Sequence, residues 1–314
     1  MISLTSLRTT TRRAALRALL GAPVAVSALT SWRPFRAAAQ DAADPKSLGV
    51  MTFVVAGLDT READQPENTD VLMIARVDLI NNTVRAISIP RDLWVSIPGY
   101  GEDKITRAYD FGSESNGRDF KSGAHCTADT IYQNFGVDLD ASVMTTFAGF
   151  KQIIDAFGGV DVDNPYDVYD AEYPTPEYGY AEVYFPAGSN HLDGVSALAF
   201  CRTRHQDGDD GRSMRQRLVL RALLDAARQS DGPSLIDLVQ ANRSAIRTTL
   251  GRSKQLALAL AAPDFSNDNV TFATLQGYVY ESYAPNGAWI YAGDWSTLPG
   301  YVQGFLDGSI GGNA

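Results

Sequence analysis

Short apolar runs near the start of the chain are separated by turn residues. The runs Met51–Gly57, Val71–Leu79 and Val84–Ile89 are each long enough for one strand. Asn81 and Asn82 stand between the second run and the third, and paired asparagines in that place are typical of a tight turn. The pattern therefore predicts three strands, of which the last two form an antiparallel hairpin.

Helical spacing of apolar residues dominates the rest of the chain. The predicted helices are Ala124–Phe135, the segment around Phe147–Phe157, Arg212–Gln229, Leu235–Asn242, Lys254–Ala261 and Leu298–Leu306. Residues 166–182 are rich in Tyr, Pro, Glu and Asp and predict an exposed loop. Further short strands are predicted at "LWVSI", "VDVDNP" and "NVTFATL". Because strands and helices interleave, the best class is a layered α/β domain with a mixed central sheet, placed at residues 49–310.

Residues 1–39 have the zoned order of a targeting segment. Arg12 and Arg13 are adjacent, a modest apolar run from Ala18 to Thr30 follows, and Ala37–Ala39 are small residues suited to a signal peptidase. The arginine pair and the weak hydrophobicity suggest the twin-arginine route. We therefore expect an exported, extracytoplasmic protein, with the segment either cleaved or retained as a membrane anchor. Residues 40–48 are expected to be a linker.

The charge of the chain limits its partners. The formal net charge is −10, and the six arginines of residues 1–39 have no acids beside them, so removing them leaves −16. Such an acidic body repels a phosphate backbone, and nucleic acid is therefore excluded as a general partner. An anionic ligand would need a local cluster of positive charge. Phosphate-binding loops of the GxxxxGK[ST] type, GxGxxG fingerprints and GxSxG elbows do not occur in the sequence.

Two cysteines, Cys126 and Cys201, leave two alternatives open. In an oxidising compartment they could form a disulfide, or they could be two ordinary buried thiols. The cysteines and the three histidines have no CxxC or HxxxH spacing, so a zinc site is not expected.

Carboxylates flank the first two strands. Asp59 follows the first strand and Asp70 precedes the second, where the end of one strand and the start of the next can face each other. Two carboxylates there could hold Mg²⁺, which often uses one or two protein carboxylates together with substrate phosphates. The alternative is a pair of loop aspartates in turn or capping roles.

Arginines form the candidate anion site. Arg91 follows a strand-ending proline, which fixes its position. Arg202 and Arg204 alternate, so an extended segment would place them on one face. Arg212 and Gln216 are four residues apart near a helix start, where free N–H groups favour an anion. Guanidinium groups so placed repel each other unless an anion joins them.

Several motifs, taken in order, resemble the LytR-CpsA-Psr family of extracytoplasmic phosphotransferases. They are "VVAGLDTR", "NTDVLMIARVD", "VRAISIPRDLWVSIPGYGEDKITRAYDFG", "FAGFKQIIDAFGGVDVDNP" and "FPAGSNHLDGVSALAFCRTRHQDGDDGRSMRQRLVL". The resemblance extends from about Leu48 to Leu224 and rests on the combination of motifs rather than on any one of them. It implies a single αβα layered domain at the outer face of the membrane.

The resemblance also implies a reaction. Family members transfer a glycan phosphate from a polyprenyl-pyrophosphate-linked glycan to an envelope acceptor, typically peptidoglycan, with Mg²⁺ (or Mn²⁺), and they work at the membrane surface. Carried over residue by residue, the catalytic positions are Arg91, Arg204, Asp209 and Arg212. The substrate-binding positions carried over are Lys104, Tyr109, Arg202 and Gln216, and the metal carboxylates are Asp59 and Asp70. Two candidate substrate-binding residues come from other arguments: Arg215, which helical spacing places on one face with Arg212 and Gln216, and Arg61.

One departure from the family pattern concerns a phosphate contact. The family usually has an arginine where this chain has Asn68, and Arg61 is the candidate substitute. Two other functions use the same residues: a polyprenyl-pyrophosphate phosphatase with water as acceptor, and a non-catalytic protein that binds the lipid carrier or regulates. The identity of the acceptor distinguishes the first from a transferase, and Mg²⁺-dependent turnover would exclude the second.

Overall fold

The computed structural model describes residues 44–59, 67–175, 179–230 and 232–313. The strands in these ranges are β1 (Val50–Asp59), β2 (Asn68–Asp78), β3 (Thr83–Ser88), β4 (Trp94–Ile97), β5 (Gly101–Lys104), β6 (Ala141–Thr146), β7 (Val160–Asn164), β8 (Val168–Pro174), β9 (Tyr180–Phe185), β10 (Gly188–Leu192), β11 (Ile246–Thr248), β12 (Val270–Thr274), β13 (Val279–Tyr283) and β14 (Trp289–Gly293). The helices are α1 (Ala108–Glu114), α2 (Phe120–Phe135), α3 (Phe147–Ala156), α4 (Gly194–Arg202), α5 (Gly208–Gln229), α6 (Gly232–Ala241), α7 (Arg252–Ala261) and α8 (Leu298–Asp307).

The central sheet has six strands in the order β11-β6-β1-β2-β3-β12. β1, β2 and β3 are antiparallel neighbours, whereas β6 pairs with β1, and β12 with β3, in parallel. Asn82 lies in the turn between β2 and β3 with a φ of 53°, a left-handed conformation that asparagine tolerates better than most residues. The predicted hairpin and the mixed sheet are therefore confirmed.

One face of the sheet packs against α1, α2 and α8. Val54, Ile74 and Ile87 of the sheet share a buried cluster with Ile131 of α2 and Phe305 of α8. Each of these side chains is fully buried, so removing any one of them from water contributes about 1.5–3 kcal/mol to folding. This cluster is the largest apolar interior on that side of the sheet.

The opposite face of the sheet packs against α5 and α7. Phe53 of β1 contacts the cluster that contains Leu224 of α5 and Ala261 of α7, and Met73 of β2 packs with Leu220 of α5. Helices therefore cover both faces, and the predicted αβα arrangement is confirmed. Because both faces are buried, β1 reads in the sequence as a nearly continuous apolar run rather than an alternating one.

Helix α2 shows why its boundaries fall where they do. The Asp119 carboxylate caps its start by accepting a hydrogen bond from the Ser122 backbone N–H at 2.9 Å. Gly136 ends it with a φ of 66°, which glycine adopts without steric cost, and this is the predicted stop. The helix begins at Phe120, before the predicted start at Ala124.

The structure corrects the expectation of an exposed loop at residues 166–182. β8 and the first residues of β9 lie in this stretch and pair antiparallel. Along β8, Val168 and Asp170 are buried at 0% and 1% exposure, whereas Tyr169 is exposed. The alternation of buried and exposed positions along β8 is not an alternation of apolar and polar residues, because the buried position 170 is an aspartate.

The segment around Arg202 is also corrected. Helix α4 continues through Arg202, and the chain leaves helical geometry at Thr203, which has a ψ of 143°. Arg202 and Arg204 therefore do not share one face of an extended segment. Helix α5 begins at Gly208, which places Asp209 within its first turn.

The cysteines follow the second of the two alternatives. Cys126 and Cys201 are both free and buried, and they belong to different apolar clusters, so the disulfide expectation is wrong. Cys126 packs under the sheet with α2, whereas Cys201 packs with α3, α4 and α5. Burial raises the pKa of the Cys201 thiol to about 12, and an inert protonated thiol is the consequence.

The expected targeting segment at residues 1–39 lies outside the described residues, and so do residues 40–43 of the expected linker. Pro45–Leu48 form a short 3₁₀ helix capped by the Asp44 carboxylate. Among the helices that the structure describes, none has both the length and the apolar composition required to cross a membrane.

Candidate active site

A β-bulge directs Asp70 into the site. Gly57 pairs with Val71 and Leu58 pairs with Thr69, so Asp70 is an extra residue in β2 without a direct partner in β1. Bulges re-aim a side chain and recur beside active sites. Asp59, at the end of β1, pairs with Asn68 and lies outside the set of residues that line the cavities described below. Only one of the two expected metal carboxylates therefore reaches a cavity wall.

Arg91 is held by carboxylates from two directions. Its Nη1 donates to Asp70 Oδ1 at 2.6 Å, and its Nε donates to Asp92 Oδ2 at 3.3 Å. Lys104 Nζ donates to the other oxygen of Asp92 at 2.7 Å. Burial lowers the pKa of Arg91, but the surrounding carboxylates, Asp70 first, more than offset this and raise it. Lys104 thus acts on Arg91 through Asp92 and lines neither of the two cavities described below.

Arg202 is the last residue of α4, and Arg204 lies two residues beyond it. Arg202 lies over the ring of Phe147 at 4.5 Å and donates from Nη1 to the Tyr173 hydroxyl at 3.1 Å. Arg204 is exposed. Within the described residues, neither arginine has a carboxylate partner within 4.0 Å. Their charge is therefore available to an anionic ligand.

Arg212 brings the third guanidinium to this place. Its side chain is 10% exposed, and its Nη2 donates to Asp209 Oδ2 at 2.9 Å. Burial lowers the pKa of Arg212, Asp209 opposes this, and the neighbouring charges of Arg91 and Arg204 lower it further. The group stays charged at neutral pH because arginine titrates far above it. Its Nε is buried without a hydrogen-bond partner in the described part of the chain, which is consistent with a ligand contact.

Arg215 is placed differently from the expectation of a substrate contact. It is completely buried, and its guanidinium donates to both carboxylate oxygens of Asp207, at 2.5 and 3.0 Å. It also donates to the carbonyl oxygens of Phe200 at 2.9 Å and Thr203 at 2.5 Å. Arg215 therefore fastens the end of α4 to α5 and positions Arg202 and Arg204 indirectly. Tyr166 supports the clamp by donating its hydroxyl to Asp207 at 2.8 Å.

A buried aspartate and a histidine join the site without having been predicted. His205 Nδ1 lies 2.7 Å from Asp170 Oδ1, and the Thr203 hydroxyl donates to Asp170 Oδ2. Burial of Asp170 opposes ionisation, but hydrogen bonds from Thr203, Glu172 and His205 lower its pKa below the ordinary value. The sequence signal for a strand at Asp170 is the alternation in "VYDAEY". The polar composition of residues 166–182 predicted a loop instead, so this signal was missed.

These residues surround a cavity of about 320 Å³ between the sheet and helices α3, α4 and α5, here called the main cavity. Its charged and polar lining includes Asp70, Arg91, Asp170, Glu172, Arg202, Arg204, His205, Arg212 and Gln216. Its apolar lining includes Val55, Met73, Phe147, Phe150, Leu198, Val219 and Leu220. An anion-binding part and an apolar part are therefore joined in one space.

A smaller cavity of about 180 Å³, here called the side cavity, adjoins the main cavity. The two share Asp70, Val71, Arg91, Arg212 and Gln216, which form the boundary between them. The rest of the side cavity comes from three places: β2, β3 and the residues after β3 (Leu72, Ser88, Ile89 and Pro90), the start of α5, including Asp209 and Asp210, and the C-terminal third, including Gln276, Val279 and Tyr291.

Two further residues, Tyr109 and Arg61, were predicted to bind substrate, and Tyr109 is not among the residues that line the two cavities. Tyr109 is completely buried, and its ring packs against Phe120 with the centroids 6.4 Å apart. Burial raises its pKa, so it is a core residue rather than a lining residue. Arg61 lies outside the described residues.

The arrangement suits a diphosphate with a hydrocarbon chain. Four arginines from three parts of the chain meet where they repel one another, and planar guanidinium groups pair well with phosphate oxygens. The chain matches the model of the LytR_cpsA_psr family over residues 28–299. It belongs to this family.

Relatives in the LytR_cpsA_psr family show which proteins the chain resembles. TagU of Bacillus cereus, a polyisoprenyl-teichoic acid–peptidoglycan teichoic acid transferase, is 33% identical over 204 residues, which make up 64% of this chain and 60% of that relative. The chain therefore spans less than two thirds of the relative's length. Among solved structures, Bacillus subtilis TagV superposes with a TM-score of 0.66 at 26% identity and covers 82% of this chain and 98% of its own. TagT bound to LI-WTA superposes with a TM-score of 0.63 at 25% identity, over 84% and 93% of the two chains.

Proposed function

We propose that the chain transfers a glycan phosphate from a polyprenyl-pyrophosphate carrier to an acceptor of the cell envelope, such as peptidoglycan. The observation that carries this proposal is the main cavity, which joins four arginines to an apolar space. A ligand with an anionic head and a long hydrocarbon tail fits both parts. A nucleotide or a free sugar phosphate would use the arginines and leave the apolar part empty.

The relatives support the same reaction. The Bacillus cereus relative is a polyisoprenyl-teichoic acid–peptidoglycan teichoic acid transferase, and TagT has been solved with LI-WTA bound. For this chain we therefore infer a lipid-linked glycopolymer as donor and peptidoglycan as acceptor. That acceptor lies outside the cytoplasm, so the proposal includes export directed by residues 1–39, with contact to the membrane surface through the lipid donor or an N-terminal anchor.

The arginines perform the first part of the mechanism. Arg202 and Arg204, which have no carboxylate partner within the described residues, would neutralise the diphosphate on binding. Arg91 and Arg212 are fixed in place by Asp70 and by Asp209, so they are oriented before the substrate arrives. Fixed donors aimed at developing negative charge stabilise the transition state without reorganisation. Removing one such donor typically lowers the rate by about 10²–10³-fold.

The transfer is a displacement at the phosphorus that carries the glycan. An acceptor hydroxyl oxygen attacks the phosphorus that carries the glycan, a new P–O bond forms, and the P–O bond to the polyprenyl phosphate breaks. Polyprenyl phosphate leaves with the bonding electron pair, and the hydroxyl proton passes to a carboxylate. Asp209 is the best placed carboxylate, because it lines the side cavity and already contacts Arg212 at 2.9 Å.

A divalent cation fits this donor set in a limited way. The described residues contain no group of three or more His, Cys, Asp or Glu side chains placed to hold a metal. Asp70, which lines both cavities, offers hard oxygen donors, which Mg²⁺ or Mn²⁺ accepts when substrate phosphates complete its coordination, whereas Asp59 lines neither cavity. When bound there, the ion would supply further neutralisation of phosphate charge.

The test is transfer by the full chain in vitro. The protein is incubated with a polyprenyl-pyrophosphate-linked glycan, Mg²⁺ and soluble peptidoglycan fragments, and the products are analysed by mass spectrometry. We expect fragments that carry the glycan phosphate, released polyprenyl phosphate, and loss of both products when EDTA removes the metal. Arg204→Ala should abolish transfer, whereas Arg243→Ala, an exposed arginine that lines neither cavity, should retain it.

Two other outcomes would replace the proposal. Release of glycan phosphate in equal amounts with and without peptidoglycan fragments would identify a phosphatase that uses water as the acceptor. Stoichiometric binding of the donor without turnover in the presence of Mg²⁺ would identify a carrier-binding protein.

A further inference from the structure

The side cavity lies where an attacking group must enter. In phosphoryl transfer the attacking and leaving oxygens are roughly in line with the phosphorus. If the polyprenyl chain occupies the apolar part of the main cavity, the leaving phosphate lies on that side of Arg91 and Arg212. The attacking hydroxyl must then come from across this boundary, and the side cavity is the space that adjoins it there.

The β13–β14 hairpin presents one continuous face to this cavity. Across the hairpin, Glu281 pairs with Tyr291 and Tyr283 pairs with Trp289. Residues two apart in a strand share a face, so Val279, Glu281 and Tyr283 lie on the same face as Tyr291 and Trp289. Val279 and Tyr291 line the side cavity. The face therefore begins at the cavity and continues outward along the hairpin.

Aromatic rings follow this face from the cavity to its outer end. Tyr291 is half-buried, and its ring meets that of Trp289 edge-to-face with the centroids 4.9 Å apart. Trp289 is 37% exposed and Tyr283 is 72% exposed. We call these three residues the aromatic strip. Exposed rings in a row, with Glu281 among them, offer both flat apolar contact and hydrogen-bond acceptors.

The strip is fixed relative to the arginines. The Tyr291 backbone N–H donates to the Asp92 carbonyl at 3.0 Å, and a β-bridge joins Tyr291 to Leu93. Asp92 is the residue whose carboxylate contacts Arg91. One short backbone segment therefore connects the strip to Arg91, so that a ligand lying on the strip would have a defined position relative to the phosphorus.

The charges around the strip select the kind of ligand. Burial raises the pKa of Tyr291, and Asp209, Glu281, Asp210 and Asp92 raise it further, so its phenol is protonated at neutral pH. Asp92 and Asp209 are paired with arginine or lysine, whereas Glu281 and Asp210 are in no ion pair within the described residues, so these two carboxylates would repel a polyanionic chain. A hydroxyl-rich saccharide would donate hydrogen bonds to them and stack its apolar faces on the rings.

We propose that the side cavity and the aromatic strip form the acceptor site, where a glycan strand lies along Tyr283, Trp289 and Tyr291 and places one hydroxyl beside Asp209. This inference rests on the proposed transferase function and gives the C-terminal third of the chain its role. Asp209 would accept the proton of that hydroxyl as its oxygen attacks the phosphorus.

The experiment uses Trp289→Ala and Tyr283→Ala in the full chain. Tyr280→Ala is the matched control, because Tyr280 is 59% exposed in the same hairpin but pairs with Ala292 on the opposite face. Binding of soluble peptidoglycan glycan strands is measured by calorimetry, and transfer kinetics are measured with varied strand at saturating lipid donor. We expect Trp289→Ala to raise the strand Kd and its KM about tenfold, the size of one good aromatic anchor, with a smaller rise for Tyr283→Ala and no change for Tyr280→Ala.

The readouts separate the two proposals. Absence of transfer by the unmodified chain would count against the proposed function, while the calorimetry would still test the acceptor site. Equal strand binding by the unmodified chain, Trp289→Ala and Tyr283→Ala would overturn the acceptor site even if transfer is intact. Tyr283 is exposed, so its variant keeps the test decisive if Trp289→Ala destabilises the hairpin.

Discussion

Arg215 distinguishes a structural arginine from the ligand-binding arginines that surround it. Replacing it by Met keeps most of the apolar stem but removes the guanidinium, which contacts the Asp207 carboxylate and the carbonyls of Phe200 and Thr203. The carboxylate then keeps only the Tyr166 hydroxyl among the side-chain partners described above. Arg215 is completely buried, whereas the Asp207 side chain is 19% exposed, so water can replace the lost hydrogen bonds only in part.

The expected cost follows from this loss. Removing one partner of a buried ion pair typically costs about 3–5 kcal/mol, and about 2–4 °C of Tm corresponds to each kcal/mol in a domain of this size class. Arg215→Met should therefore lower the Tm by roughly 6–20 °C, measured by circular dichroism at pH 7. The double variant with Asp207→Asn should recover part of the loss, because it no longer leaves a charge unpaired.

Arg204→Met is the matched control for this prediction. Arg204 is exposed and lines the main cavity, so its variant should keep the Tm within about 1–2 °C and lose at least about 10²-fold in transfer. The reasoning fails if Arg215→Met leaves the Tm unchanged and abolishes donor binding. Arg215 would then be a ligand contact, as its helical spacing with Arg212 and Gln216 predicted.

Three further outcomes are expected. Arg91→Ala should lower kcat by about 10²–10³-fold with a small change in Tm, and Lys104→Met should lower it less, because Lys104 acts through Asp92; equal losses in both would contradict this order. The pKa of Asp170 is lowered from its ordinary 3.8, so its contribution to stability is present above that pH and lost as the pH falls through the folded value. Asp170→Asn should therefore destabilise the protein by about 2 kcal/mol at pH 7 and reduce the fall of Tm at acid pH. If Tm falls with pH equally in the variant and the unmodified chain, this carboxylate is not the source of that dependence. A thiol reagent should label neither Cys126 nor Cys201 in the native chain and both after unfolding without reductant, since both are buried and free; a single labelled thiol or none after unfolding would contradict the structure.

Local pattern was sufficient for most of the secondary structure. The hairpin at Asn82, the stop of α2 at Gly136 and the helices of the C-terminal third follow from turn chemistry and apolar spacing, which act over a few residues. The prediction was wrong at residues 166–182, where the inward position of β8 is Asp170 rather than an apolar residue. Burial of that carboxylate depends on Thr203 and His205, more than thirty residues away.

By itself, the sequence determined the αβα class, the family and the set of charged residues from which the site is built, because order and spacing of motifs are properties of the chain alone. The tertiary structure decided which of those charges face a ligand. Arg212 and Arg215 are three residues apart on one helix, yet Arg212 lines both cavities while Arg215 is enclosed by Asp207 and two carbonyls. The role of a guanidinium depends on its distance to carboxylates and its exposure to solvent. Both quantities are set by packing between distant segments, which no local pattern records.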